Sequence, residues 1–270
     1  MAAVEYEVND GGVAIITLNR PEARNAMNPE VMCRLHDAWH EVKTDDAVRV
    51  AVLTGSGDKA FCAGADLAQL IPLMSKTREP ENEWDRRLLA NDDDLGNKAS
   101  LRIHDIDKPI IAACNGHAIA GGMELVQGTD IRVAAEGAKF GVQEVKWALF
   151  PAGGSTVRLP AQLPYAFAME FLLTGQLVDA QRAHELGFIN HVVPFDEVLP
   201  RALEIASTIA ANGPLAVRAI KSAARALLGV PEQEAMRMES RLAAPVFASQ
   251  DAVEGPKAFL EKRAPNYEGR

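Results

Sequence analysis

Two glutamates of this sequence lie in segments that are rich in apolar and small residues. Glu124 stands in "NGHAIAGGMEL", and Glu144 stands in "FGVQEVKWALF". A carboxylate in apolar surroundings is costly unless it is compensated or protonated, and two neighbouring carboxylates tend to split their pKa values. One protonated and one ionised carboxyl group could add or remove water across a polarised double bond, as acid and base.

Small residues precede the first glutamate and also occur earlier in the chain. The segments "AFCAGAD" (60–66) and "AIAGGMEL" (118–125) each follow an apolar run and come just before a predicted helix. Helix N-termini expose unpaired N–H groups, and small residues let a ligand approach them closely. Two such groups converging on one point would form an oxyanion hole. Neither segment has the spacing of a phosphate loop or a dinucleotide-binding turn.

Each feature also has a purely structural interpretation. The two turns could need glycine for backbone reasons alone, and Glu124 could simply complement a helix dipole, which is worth ~0.3–1 kcal/mol. Glu144 taken alone is typical of a surface residue at a helix start. The pair of carboxyl groups beside two glycine turns favours the catalytic interpretation.

The first long helix carries a possible metal pair. His36 and His40 have the i, i+4 spacing of two ligands, with Cys33 nearby. The apolar stripe of this helix runs through Leu35 and Trp39, so both histidines border its solvent side. No HExxH motif is present. The pattern therefore indicates a solvated face, and we expect no metal site.

The strands and helices that must position these groups can be predicted from the sequence. A hairpin is predicted at "VEYEVND GG VAIITL", and buried strands are predicted at 48–55 and 108–116. We therefore predict an α/β chain with a core over residues 1–195 and a helical C-terminal region over 196–270. The helices expected in that region cover 196–211, 214–228, 231–249 and 251–263.

Residues 72–100 differ in character from the rest of the core. This stretch is polar, with clustered acidic residues, and it predicts an inserted lid-like helix and loop. Long insertions in compact domains often form walls or lids of functional sites. We therefore expect the segment to wall a substrate pocket.

The composition excludes several classes of partner. The formal net charge is −9 and the pI is about 5.2, so neither nucleic acid nor an anionic membrane is an expected partner. The start "MAAVEYEVND" is unlike a signal peptide, and no run of eighteen apolar residues predicts a membrane span. The three cysteines are far apart and show no CxxC pattern, which suits a reducing compartment. We expect a cytoplasmic protein.

Four motifs in order resemble the crotonase superfamily, and specifically the enoyl-CoA hydratases: "FCAGADL", "NGHAIAGGMEL", "FGVQE" and "PAGGS". The resemblance covers roughly residues 4–263. It implies a spiral of ββα repeats with a helical C-terminal trimerisation region, assembled as a homotrimer or as a hexamer of two trimers. It also implies an acyl-CoA substrate, with coenzyme A as part of that substrate and no separate cofactor.

The same resemblance implies roles for single residues. The N–H groups of Ala63 and Gly121 would hold the thioester oxygen. Glu124 would be the base that activates water for C3 of the acyl chain, and Glu144 the acid that protonates C2. Residues that would contact coenzyme A are Ala23, Arg24, Ala65, Asp66 and Leu67, with Phe259 and Lys262 reaching the coenzyme A of a neighbouring subunit.

The sequence departs from the family pattern at two places. The glycine-rich loop after the second glutamate is often Gly-Ala-Gly-Gly, and here it aligns as Ala152-Gly153-Gly154-Ser155. Ala120 stands where a third glycine is common. Both departures concern backbone close to the expected reaction centre.

The sequence favours an enoyl-CoA hydratase but leaves rivals open. Another activity of the superfamily, such as double-bond isomerisation or acyl-CoA hydrolysis, is the alternative among enzymes. A non-catalytic acyl-CoA-binding scaffold is the alternative outside enzymes. The second glutamate argues against the scaffold, because a binding protein has no need of two carboxyl groups beside a thioester.

Overall fold

The computed structural model describes residues 2–270, and its strands form two sheets. In the orders that follow, the first two strands of the six-stranded sheet and the last two strands of the four-stranded sheet pair antiparallel, and all other neighbouring pairs are parallel. The six-stranded sheet has the order β1 (Val4–Val8), β2 (Val13–Leu18), β3 (Val50–Gly55), β5 (Ile110–Cys114), β7 (Ile131–Ala135) and β10 (His191–Val193). The four-stranded sheet has the order β4 (Ala60–Cys62), β6 (His117–Ile119), β8 (Lys139–Gly141) and β9 (Val178–Asp179).

Successive strand pairs build the two sheets together, one strand of each pair in each sheet. In each repeat the first strand enters the six-stranded sheet and the second enters the four-stranded sheet, as in β3–β4, β5–β6 and β7–β8. Helices α2 (Leu70–Met74), α5 (Gly121–Gln127) and α6 (Ser155–Gln162) follow these three pairs. The predicted spiral of ββα repeats is confirmed.

The other helices surround the sheets. Asn28 begins the first of them, since its side chain accepts a hydrogen bond from Val31 N at 2.9 Å, a cap that is typically worth ~1 kcal/mol. The helix α9 (Val198–Ala210) lies across the central strands of the six-stranded sheet. The bounds are α1 (Pro29–Thr44), α3 (Glu83–Ala90), α4 (Leu95–Ala99), α7 (Tyr165–Thr174), α8 (Ala180–Glu185), α9 (Val198–Ala210), α10 (Pro214–Ala226), α11 (Glu232–Phe247) and α12 (Asp251–Leu260).

The segment 72–100 is not the polar lid that its composition suggests. Helices α3 and α4 pack against α1, and Leu73, Leu88 and Leu95 are buried in the main core. Its buried carboxylate, Asp85, is paired with Arg78 at 2.6 Å, which compensates the charge. The apolar residues were too few and too widely spaced in a polar stretch to reveal this docking. A role of the segment in walling a pocket stays a prediction.

The last three helices bury little within one chain. No residue of α11 is buried, and α10 buries only Lys221. No helix within residues 2–270 is both long and apolar enough to cross a membrane. Several large apolar side chains of this region are exposed: Ile220, Leu228, Met236, Phe247, Val253, Phe259 and Leu260.

Candidate active site

Glu124 lies in the first turn of α5 and is almost wholly buried, with 6% of its surface exposed. Burial raises the pKa of its carboxyl group above the usual value of 4.5. Hydrogen bonds from Ser155 and Gly153 and the charge of Arg158 oppose this shift. The Oε1 atom accepts from Ser155 N at 3.3 Å and from Ser155 Oγ at 3.0 Å. The carboxylate is therefore buried but compensated.

Glu144 begins a short 3₁₀ turn that runs over Glu144–Trp147. Burial, with a smaller contribution from the charge of Glu124, raises the pKa of its carboxyl group to about 7, and a hydrogen bond from its own N–H opposes this shift. Among residues 2–270, no group is hydrogen-bonded to its buried Oε2 atom. The second glutamate thus keeps its proton up to about pH 7, and one of its oxygens has no hydrogen-bond partner within residues 2–270.

The loop after this turn brings a glycine against the first glutamate. A Cβ atom on Gly153 would lie 2.2 Å from Glu124 Oε2, well inside contact distance. Because the charge of Glu124 also acts on the Glu144 carboxyl group, the two glutamates and this loop belong to one site. Any side chain at position 153 would displace the carboxylate.

Two neighbouring backbone N–H groups, one of them in the same helical turn as Glu124, are without an acceptor. The N–H groups of Ala65 and Gly121 have no acceptor among the hydrogen bonds of residues 2–270. A Cβ atom on Gly121 would lie 3.6 Å from Ala65 N, so the two groups border one small space. Gly121 is the first residue of α5, whose N-terminus carries partial positive charge.

The structure does not favour Ala63 as a donor to a substrate. Its N–H group already donates to the carbonyl oxygen of Arg24 at 3.0 Å. Of the expected pair, Gly121 therefore has a free N–H group and Ala63 does not, and the free N–H group next to Gly121 is that of Ala65. The sequence could not reveal this exchange, because the acceptor lies far upstream in the chain and meets Ala63 only in the fold.

The backbone at the start of α5 is held in an unusual conformation. Ala120 has φ 53° and ψ −125°, a region that non-glycine residues rarely adopt. Gly122 lies so close to β4 that a Cβ atom would be 2.1 Å from the carbonyl oxygen of Cys62. These two residues set the direction in which the Gly121 N–H group points.

The residues expected to contact coenzyme A near the N-terminus differ in their surroundings. Ala23 ends a 3₁₀ turn and Arg24 follows it, and Arg24 lines an open cleft of about 710 Å³ with Lys59 and His117. Leu67 is 76% exposed. The carboxylate of Asp66 is engaged inside the protein, where it accepts from Arg20, Ala68 N and Gln69 N.

The two C-terminal candidates lie apart from this group. Phe259 is 82% exposed at the end of α12, and Lys262 follows that helix. Within residues 2–270, the side chain of Lys262 has no hydrogen bond or ion pair to a residue of the glutamate site.

The histidines of α1 are not arranged as metal ligands. His36 Nε2 lies 3.3 Å from Asp93 Oδ2, and its other ring nitrogen is 3.4 Å from Asp37. His40 is exposed. Across residues 2–270, no group of three or more histidine, cysteine, aspartate or glutamate side chains is placed to hold a metal ion.

Sequence reasoning missed two side chains that touch the site. It noted Ser155 only as a change of backbone in the glycine loop, and it did not single out Gln127, whose Nε2 donates to Ser155 Oγ at 2.9 Å. Gln127 stands three residues after Glu124 on the same helix, and that i, i+3 spacing was the one available signal.

Comparison with known proteins decides the family. The family model described as enoyl-CoA hydratase/isomerase matches residues 8–270. The chain belongs to this family. Enoyl-CoA hydratase EchA19 of Mycobacterium tuberculosis is 47% identical over 263 residues, which cover 96% of this chain and 94% of that protein.

Further relatives agree with the match. A crotonyl-CoA hydratase of Syntrophomonas wolfei is 39% identical over 94% of both chains. The crystal structure of an enoyl-CoA hydratase from Mycobacterium tuberculosis superposes with a TM-score of 0.88 at 38% identity, covering all of both chains. The fold is the crotonase fold of the enoyl-CoA hydratase/isomerase family.

Proposed function

We propose that this protein is an enoyl-CoA hydratase, which adds water across the 2,3 double bond of a trans-2-enoyl-CoA to give a 3-hydroxyacyl-CoA. The observation that carries the proposal is the pair of carboxyl groups with different environments beside two free N–H groups. The family membership and the names of the relatives support the same activity.

The N–H groups of Ala65 and Gly121 donate to the thioester oxygen. Electron density moves from the double bond toward that oxygen as water attacks C3, and the two donors stabilise the negative charge that develops there. No metal, nucleotide or redox cofactor is required for this step, since the backbone supplies the polarisation. Coenzyme A enters only as part of the substrate.

The two glutamates divide the proton transfers. Glu124 takes a proton from the attacking water as the bond from oxygen to C3 forms. Glu144, which is protonated below its pKa of about 7, donates its proton to C2. Each turnover leaves the two protonation states exchanged, and proton exchange restores them before the next cycle.

Two carboxyl groups also argue against the rival activities. Shifting a double bond needs one group that can remove and return a proton, and a scaffold needs none. Isomerisation would leave one of these buried carboxyl groups without a role, and a scaffold would leave both without one. Hydration employs both.

The decisive experiment is a panel of enoyl-CoA thioesters followed at the enoyl-thioester absorbance. Hydration in heavy water should place one deuterium at C2, on the same face as the hydroxyl group at C3. Migration of the double bond, or release of free coenzyme A in place of water addition, would replace hydratase by isomerase or hydrolase. Binding without any turnover would support the scaffold.

We also propose that the active form is a homotrimer or a hexamer. The apolar side chains exposed on α10, α11 and α12 need a partner surface, and a second copy would bring Phe259 and Lys262 toward a neighbouring site. Sedimentation should give a trimer or a larger species at micromolar concentration, and a monomer would refute the assembly.

A further inference from the structure

Ser155 is buried completely at the start of α6 and faces the first glutamate. Its N–H and hydroxyl groups both reach the same oxygen, Oε1 of Glu124, at 3.3 and 3.0 Å. A hydroxyl group can donate only one hydrogen bond, so its direction depends on what else surrounds it.

Gln127 sets that direction. Its Nε2 donates to Ser155 Oγ at 2.9 Å, and the residue is 2% exposed. Because the hydroxyl oxygen accepts from the amide, its own proton is left to donate to Glu124. The backbone oxygen of Gln127 accepts from Gln162 Nε2 at 3.1 Å, which joins α5 to α6 behind the carboxylate.

The two oxygens of Glu124 therefore differ. Oε1 accepts two hydrogen bonds from Ser155, whereas Oε2 lies against Gly153. We propose that Ser155, oriented by Gln127, is a positioning residue that keeps Oε1 as a fixed acceptor and leaves Oε2 as the basic oxygen. This proposal rests on the proposed hydratase activity, because only there does Glu124 act as base.

The arrangement has a measurable consequence. Hydrogen bonds to the charged form of a carboxyl group favour ionisation, so Ser155 holds the Glu124 pKa below the value that burial alone would give. Without the hydroxyl group of Ser155, the pKa of Glu124 would be higher, and Glu124 would stay protonated up to a higher pH. The decline of kcat/KM on the acid side of its pH profile would then begin at a higher pH.

The test compares four variants in the full chain. In Ser155→Ala, the acid limb of the pH profile, which is the pH below which kcat/KM falls, should move up by about one pH unit. In the same variant kcat should fall ~10-fold, and KM should stay within about twofold of the wild-type value. Gln127→Met keeps the hydroxyl group but loses its orienting donor, and should shift the limb less in the same direction. Ser155→Thr, which keeps a hydroxyl group, should restore the wild-type limb.

Thr129→Val is the matched control. It removes another buried hydroxyl group near the end of α5, one that donates to Val126 O at 2.7 Å and does not touch Glu124. Its limb should stay at the wild-type pH. A folded Ser155→Ala variant with an unmoved limb would refute the positioning role, and if that variant does not fold, an unmoved limb in Gln127→Met would refute it.

A titration without turnover separates this proposal from the proposed activity. In protein labelled with ¹³C-glutamate, the Glu124 carboxyl resonance is identified by its loss in Glu124→Gln. Its pKa should be higher in Ser155→Ala than in the wild type, whether or not the protein hydrates any thioester. Equal values would refute the role of Ser155, and a shift in a protein inactive on every thioester would refute only the hydratase.

Discussion

The region around Glu124 and the region around Glu144 carry the same functional group in opposite settings. Glu124 is held by α5 on one side and by Ser155 on the other, and its Oε1 accepts two hydrogen bonds. Glu144 stands on a short 3₁₀ turn, its Oε2 has no partner within residues 2–270, and the residues after it expose Trp147 and Phe150. A buried carboxyl group that accepts hydrogen bonds can ionise and act as a base, whereas one buried without such partners keeps its proton and can act as an acid.

Removing either carboxyl group tests the comparison most strongly. Glu124→Gln and Glu144→Gln should each lower kcat at least ~10²-fold, because a glutamine keeps the shape but cannot transfer a proton. The double variant should lose much less than the product of the two losses, since the groups act as a unit. Steady-state hydration of crotonyl-CoA gives kcat, and acyl-CoA affinity should stay within a few-fold.

The comparison would be contradicted if only one of the two single variants lost activity. If Glu124→Gln hydrates almost normally while Glu144→Gln is inactive, Glu124 is only a dipole partner at a helix start. A reaction with one glutamate, such as isomerisation, would then replace hydration.

Gly153→Ala disturbs only the Glu124 side. The new Cβ atom would lie 2.2 Å from Oε2, so the carboxylate must move, and we expect kcat to fall ~10–10²-fold. Gly96→Ala is the control, because its Cβ atom would come no closer than 3.4 Å to Asn91 in a helix outside the site. Equal kcat values for the two variants would show that the position of Glu124 does not matter.

The Glu144 side should set the alkaline limit of activity. Its pKa of about 7 means that the acid is lost as the pH rises past neutrality, so kcat/KM should fall about tenfold per pH unit above that point. Rates measured from about pH 5 to about pH 9 would show the limb. It should be absent from the residual activity of Glu144→Gln, and its persistence there would assign it to another group.

The smallest expected effect is on stability. The folded pKa of Glu144, about 7, lies above the ordinary value of 4.5, so the folded state binds more protons between these values. Stability from this group is present at low pH and is lost as the pH rises through that window. Glu144→Gln should therefore match the wild-type Tm near pH 5 and exceed it near pH 8.

Glu239→Gln, on the exposed surface of α11, controls for the loss of one negative charge. Its Tm difference from the wild type should not change between the two pH values. A Glu144→Gln variant that behaves like this control would mean that Glu144 is not buried in solution.

The sequence contained most of the fold and the identity of the two glutamates. Alternating and apolar runs predicted the long strands, because these signals depend on nearby residues. Strands β6 and β8 have three residues each, too few for periodicity to appear. Their pairing is a property of the assembled spiral.

The details of the site could not be predicted for a related reason. Whether Ala63 or Ala65 has a free N–H group depends on the Arg24 carbonyl oxygen, which reaches Ala63 only through folding. The opposite characters of Glu124 and Glu144 likewise depend on the hydroxyl group of Ser155. Residue types suggest the reaction, and tertiary contacts assign the roles.

The conformation of Ala120 has a consequence for how the protein would fail on heating. A non-glycine residue in this region stores strain of about 1–3 kcal/mol, which persists only while the packing around it holds. The close contact of Gly122 with Cys62 is part of that packing. A small loosening between α5 and β4 would let the backbone relax and turn the Gly121 N–H group away. The donor geometry would then be lost in a local opening, below the temperature at which the sheets separate.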